Sequence, residues 1–313
     1  MNSNVNAQPA AEWLSPKGKA LIISGPCSVE TPDQIFTTVK QLAATGKVDI
    51  IRGGIWKPRT RPNAFEGLGE QGLPLLKESS REFGLPCMTE VATPTHVEEA
   101  LRHNIDQLWI GARTTVNPFA VQEIAEALRG SHVPVWVKNP VNPDLGLWVG
   151  ALERLNGVGI RKLGMIHRGY TPLGTTLLRN LPEWQLAMKM RDMVPDAPMV
   201  SDPSHIAGRR DLLRPIAQKA LSLGMEGLMI ESHHNPDEAW SDAKQQVTPE
   251  ALVALLDQLH AVVIDKQASG LMQHLEELIQ SLESRLQQMK VVAGFDEEES
   301  ILRLLAQEGL SLN

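Results

Sequence analysis

Between residues 20 and about 260, short apolar runs alternate eight times with longer amphipathic stretches, and few folds accommodate that rhythm. The runs at 20–24, 49–53, 86–90, 107–111, 133–138, 161–167, 198–202 and 227–231 have strand length. Those at 31–44, 73–83, 94–103, 117–129, 143–155, 181–193, 209–223 and 249–259 have helical length and spacing, and Pro or Gly marks most junctions. Strand–helix alternation at this spacing implies βαβ units and a parallel sheet. Eight such units favour an α/β fold of the closed (β/α)8 TIM barrel type over an open doubly wound sheet, and such barrels take about 250 residues.

The chain then divides into an N-terminal extension (1–19), the barrel (20–260) and an appendage (261–313). In the last, Leu271, Leu275, Leu278, Leu282, Leu286 and Met289 form one apolar helical stripe. Gly294 ends that helix, and Asp296 with Glu299 opens a second. A C-terminal helical hairpin is expected, too small to fold well alone, with a packing, oligomerisation or regulatory role. It carries four Lys/Arg against nine Asp/Glu, most of the formal charge of −7. No basic face suggests nucleic acid, and no run approaches the roughly 18 apolar residues of a membrane span. Residues 1–19 lack a secretory signal's apolar stretch, and two cysteines make no disulfide framework. A cytoplasmic homo-oligomer, dimer or tetramer, is the expectation.

Four short motifs each carry one possible metal ligand: Cys27 in Gly25-Pro26-Cys27-Ser28, His205 in Asp202-Pro203-Ser204-His205, Glu231 in Ile230-Glu231-Ser232-His233-His234, and Asp242 after Ser241. Singly, each has a plainer reading: a buried thiol, a hydrogen-bonded core histidine, a paired carboxylate, a solvated loop acid. Cys87, inside a strand run, keeps that plainer reading. A barrel, however, gathers the C-terminal ends of its strands into one mouth. There a thiolate, an imidazole and two carboxylates would suit a divalent Mn, Fe, Co or Zn ion.

The same rim is rich in cations. Arg52, Lys57, Arg113, Lys138 and Arg168 all fall at or just after strand ends, and Arg59 and Arg61 share the proline-stiffened Lys57-Pro58-Arg59-Thr60-Arg61-Pro62. Holding like charges together is costly unless an anion is bound. Arg forks and Lys point charges suit phosphate and carboxylate. A metal beside a basic pocket suggests an enzyme acting on phosphorylated anions.

With Arg52-Gly53-Gly54, Gly67-Leu68-Gly69, Gly111-Ala112-Arg113 and Glu231-Ser232-His233-His234-Asn235-Pro236 added, these motifs give residues 20–260 a specific resemblance. The chain resembles 3-deoxy-D-arabino-heptulosonate 7-phosphate (DAHP) synthases of the shorter type I-beta, which begin the shikimate pathway. The resemblance implies condensation of phosphoenolpyruvate with erythrose 4-phosphate and release of phosphate. It implies metal ligation by Cys27, His205, Glu231 and Asp242. Arg52 and Lys57 would face the phosphoenolpyruvate carboxylate; Arg113, Lys138 and Arg168 would hold its phosphate; Arg59 and Thr60 would bind the aldose phosphate; Ala112 would also touch substrate. Catalysis would rest on Lys57 as proton donor and on Cys27 and His205, with Glu90 and His205 as candidates for the base that activates water. Three departures bear on fine geometry: Arg61 where the family often has Ser or Thr, Asn139-Pro140 after the phosphate lysine, and His167 before Arg168.

The nearest alternative is 3-deoxy-D-manno-octulosonate 8-phosphate synthase, which uses arabinose 5-phosphate and typically carries Lys-Ala-Asn-Arg-Ser where this chain has Lys57-Pro58-Arg59-Thr60. Arginine in place of asparagine favours the shorter aldose. The tail around Met289-Lys290-Val291-Val292 is weakly similar to the first helix of a chorismate mutase. Gln288 stands where that family has Arg, and no mutase activity is expected.

Overall fold

In the computed structural model, residues 3–18, 20–57, 65–259 and 281–282 are described. The chain divides into two units, Met1–Val262 and Val263–Asn313. The hairpin expected at 261–313 lies outside the described residues, save 281–282, which are helical.

Eight parallel strands close into a barrel: β1 (Leu21–Gly25), β2 (Ile50–Arg52), β3 (Cys87–Val91), β4 (Gln107–Ile110), β5 (Val135–Lys138), β6 (Leu163–His167), β7 (Met199–Ser201) and β8 (Gly227–Glu231). They run in sequence order, and β8 pairs back onto β1 with Leu21 opposite Gly227 and Gly25 opposite Glu231. Each strand lies within two residues of its expected run.

Alternation along the strands makes two apolar layers. Leu21, Ile23, Ile50, Met88, Trp109, Trp136, Ile166, Val200 and Met229 fill the interior, while Ile22, Ile51, Cys87, Leu108, Val135 and Leu228 join the outer layer beneath the helices. Cys87 is thus a core thiol, as expected. Trp109 and Trp136 are fully buried, and their ring N–H groups donate to Glu90 Oε2 (2.9 Å) and Gln107 Oε1 (2.7 Å). Trp136 fits because β6 offers Gly164: a Cβ there would stand 2.2 Å from the indole.

Ten helices surround the strands: α1 (Pro32–Ala44), α2 (Gly72–Glu82), α3 (Pro94–Arg102), α4 (Ala112–Thr115), α5 (Pro118–Ala127), α6 (Leu145–Gly157), α7 (Trp184–Met193), α8 (Pro203–Ala207), α9 (Leu213–Ser222) and α10 (Pro249–Asp257), counted among the described residues. Five begin alike. Thr31, Thr93, Asn117, Asp202 and Thr248 each precede a proline and accept from a backbone N–H two or three residues on. The cap satisfies an orphan donor, and proline at the first position sacrifices none.

Two features depart from the sequence expectation. Helix α7 starts at Trp184 rather than 181, because Leu181 exchanges backbone hydrogen bonds with Tyr170 and precedes Pro182, which disfavours helical backbone. Short α4 and α8 intervene between strand end and main helix; at four and five residues they are too brief to show a period. The N-terminal extension, for its part, packs on the barrel. Ala7 is buried, Gln8 N donates to Arg161 O, and the rings of Trp13 and Trp136 lie 5.6 Å apart. Among the described residues no helix is long and apolar enough to cross a membrane.

Candidate active site

Strand ends deliver the expected residues to one mouth. Arg52, Lys138 and Glu231 close β2, β5 and β8; Arg168 follows β6; Ala112 and Arg113 open α4; His205 sits in α8. Cys27 follows β1 through Gly25, whose φ of +150° and whose absent Cβ, which would fall 2.1 Å from Arg52 O, let the ends of β1 and β2 touch. Asp242 has φ +47°, a left-handed conformation aspartate tolerates better than most residues.

Cys27 Sγ and carboxylate oxygens of Glu231 and Asp242 all lie within 4.8 Å of one another. His205 Nε2 stands 3.9 Å from Glu231 Oε1. His205 Nδ1 lies 2.8 Å from Asp202 Oδ2, at ion-pair distance though not in hydrogen-bond alignment. A proton on Nδ1 would face Asp202 and leave the Nε2 lone pair toward Glu231. Glu231 is wholly buried, and its Oε1 has no hydrogen-bond partner. Arg52 Nη1 lies 3.0 Å from that oxygen and supplies a counter-charge, while the imidazole, the thiol and the second carboxylate beside it are of the donor types a borderline divalent metal takes. Cys27, Glu231 and Asp242 are close enough to share such an ion, and His205 stands beside Glu231 without joining that group of three.

Electrostatics support the same fit. Burial first, then the negative charge of Glu231, pushes the Cys27 thiol up to about 12 against the pull of Lys57, and a cation at its sulfur would favour the thiolate. Burial lowers the pKa of His205, against the pull of the Asp202 carboxylate. For Asp242 burial opposes ionisation, but Arg179 and then His205 overcome it and hold the carboxyl well below the usual range.

Above the quartet opens a cavity of about 210 Å³. Lys57, Arg113, Lys138, Arg168 and Arg179 supply five cations to its described lining, against the carboxylates of Glu90 and Asp242; Ala112, Val141 and His205 complete it. Lys57 Nζ donates to Cys27 Sγ at 2.9 Å and to Cys27 O at 3.0 Å, so it bridges cavity and quartet. Lys138 Nζ reaches Asp202 at 2.9 Å. Burial lowers Arg168 to about 10, which leaves it charged at neutral pH. Arg52 lies below the cavity wall rather than on it: Nη2 donates to Cys27 O at 3.0 Å, and Nη1 lies 3.0 Å from Glu231 Oε1. Trp109 lies beneath two of these cations, with Arg52 Cζ 5.0 Å and Lys138 Nζ 5.7 Å from a ring centroid. Arg59, Thr60 and Arg61 lie outside the described residues.

A model of the DAHP synthetase I family matches residues 5–266. The chain belongs to the DAHP synthetase I family. Phospho-2-dehydro-3-deoxyheptonate aldolase of Thermotoga maritima is 31% identical over 77% of this chain and 69% of its own. A solved structure of that aldolase superposes with a TM-score of 0.69 at 30% identity, over 80% of this chain and 70% of the other. The 2-dehydro-3-deoxyphosphooctonate aldolase of Brucella ovis is 26% identical, over 77% of this chain and 89% of its own. The barrel, the enzyme class (a transferase) and DAHP synthase activity are therefore those of the DAHP synthetase I family.

Several residues of this family member's site escaped the sequence reading. Asp202 stands out in sequence only as part of the motif that carries His205, not as the partner of both Lys138 and His205. Arg179, Asn180 and Gln245 carried no local signal, since their roles come from segments that meet only in the fold.

Proposed function

We propose that this mouth condenses phosphoenolpyruvate with erythrose 4-phosphate, with Cys27, His205, Glu231 and Asp242 holding a divalent Mn, Fe, Co or Zn ion. What carries the reading is the cationic cavity set directly over the convergent donor set. Lys138, Arg113 and Arg168 hold the phosphate of phosphoenolpyruvate, with Ala112 beside them. Lys57 anchors the carboxylate end, and Arg52 acts from below through Glu231 and the Cys27 carbonyl. Arg59 and Thr60 are assigned to the aldose phosphate on the family resemblance. When bound, the metal supplies Lewis-acid polarisation of an aldehyde oxygen. C3 of phosphoenolpyruvate bonds to the aldehyde carbon, and Lys57 Nζ gives a proton to the resulting alkoxide. Water then adds at C2 and the C2–O bond to phosphate breaks. We assign the water's proton to Glu90, which lines the cavity, over the other candidate, His205. The reaction sits in cytoplasmic biosynthesis, and residues 261–313 serve packing or assembly of a homo-oligomer.

The test is turnover of phosphoenolpyruvate with erythrose 4-phosphate and with arabinose 5-phosphate, side by side, on metal-stripped and Mn-reconstituted enzyme. Activity should require metal and favour the four-carbon aldose. Full activity after chelation, or faster turnover of arabinose 5-phosphate, would contradict the assignment. Deletion of 265–313 should change the sedimentation profile.

A further inference from the structure

Between β6 and α7 the chain returns across the mouth. Tyr170 and Leu181 pin its neck with backbone hydrogen bonds of 2.7 and 2.8 Å, and Asn180 N donates to Ile206 O at 3.1 Å. Glycines make this close pass possible. A Cβ on Gly169 would meet Leu181 O at 2.9 Å, one on Gly208 would meet Arg179 Cβ at 2.5 Å, and both have positive φ (76° and 68°).

Two adjacent residues of this segment reach both halves of the site. Asn180 is 3% exposed; its Oδ1 accepts from Arg168 Nη1 at 2.7 Å, and its Nδ2 donates to His205 O at 2.6 Å. Arg179 Nη1 donates to Gln245 Oε1 at 2.6 Å and lies 3.1 Å from Asp242 Oδ1. Gln245 in turn donates to Glu231 Oε2 at 2.7 Å. One rigid amide thus joins an anion-facing guanidinium to the backbone of His205, and the neighbouring residue braces two more members of the quartet. Arg179 also lines the cavity, so an anion there and Asp242 share one guanidinium.

We propose that Arg179 and Asn180 are positioning residues that couple the cavity to the quartet, so that an anion on Arg168 and a metal on His205, Glu231 and Asp242 each tighten the binding of the other. The inference rests on the metal and phosphate assignments above. An anion that fixes Arg168 fixes Asn180, and Asn180 then holds the His205 backbone where its ring can ligate. Linkage makes the effect equal in both directions.

The dissociation constant of Mn²⁺ is measured by chelator competition on metal-stripped full-length enzyme, with and without saturating phosphoenolpyruvate, and again with inorganic phosphate. In the wild type the anion should tighten Mn²⁺ binding about fivefold or more. In Asn180→Ala, metal should still bind but the ratio should fall to about one, and Arg179→Gln carries the same test if the first variant does not fold. A wild-type ratio of one overturns the proposal. So does a wild-type ratio retained in the variants, whether metal affinity falls equally in both arms or the anion acts on the metal directly. Turnover assays separate the two readings: no DAHP formation with the ratio intact defeats the functional assignment alone, and normal turnover with a ratio of one defeats the coupling alone.

Discussion

Asp202 uses both carboxylate oxygens inside the barrel. Oδ1 accepts from His205 N at 3.1 Å as the α8 cap, and Oδ2 faces Lys138 Nζ and His205 Nδ1. Burial opposes its charge, yet His205 and then Lys138 hold its carboxyl well below the usual range. Asp202→Asn keeps the shape and loses the charge that orients both partners. Mn²⁺ affinity should fall about 10–100-fold, and the melting temperature should fall too because buried Lys138 loses its counter-charge, as chelator competition and thermal melts would show. His167 makes a separate prediction. Burial lowers its pKa from 6.5 to about 4, against a hydrogen bond to Pro182 O. Between those values the unfolded chain binds a proton that the folded chain refuses. Its contribution to stability is therefore complete above pH 6.5 and declines as pH falls toward 4. Denaturant midpoints of wild type and His167→Gln should draw closer at pH 5 than at pH 7; a constant gap would contradict this origin. The quartet was readable at this scale because each ligand type sits in a distinctive motif. Asn180 was not, because an asparagine in a polar stretch looks the same whether it bonds water or Arg168.

Among the elements, strands and main helices were legible because their periods are long enough to count and their caps are local. The T-P and N-P starts of α1, α3, α5 and α10 are written in adjacent letters. What the pattern could not give was the short α8, the late start of α7, or the closeness of β6 to β5. That last contact is set by Gly164 under Trp136, two residues far apart in sequence. Gly164→Ala must move the ring or the strand, with a cost of about 1–3 kcal/mol for overpacking. Urea denaturation would check it, and a neutral result would mean the interior can shift to admit a methyl. The N-terminal extension gave no sign of its place either: its polar composition conceals one tryptophan that reaches the inner layer. Trp13 is only partly buried, so Trp13→Ala should lower unfolding free energy by about 1–2 kcal/mol, below the ~3–5 of a fully buried ring.

Viewed as a whole, the barrel turns eight separate strand ends into one catalytic rim, which is why residues more than 200 positions apart, such as Cys27 and Asp242, meet at 3.4 Å. Trp13 and Leu14 pack against the opposite end of the interior, below Trp136. With that floor corked among the described residues, reactants and products use the mouth at the strands' C-terminal ends. Lys138 and Arg168 are 4% and 6% exposed, whereas the side chains of Arg179 and Asp242 are 37% and 21% exposed. The molecule that settles deepest must arrive first, and once its co-reactant stands in front of it, it is shut in. Traffic through such a vessel is a queue, so initial-rate and product-inhibition patterns should be sequential with phosphoenolpyruvate leading.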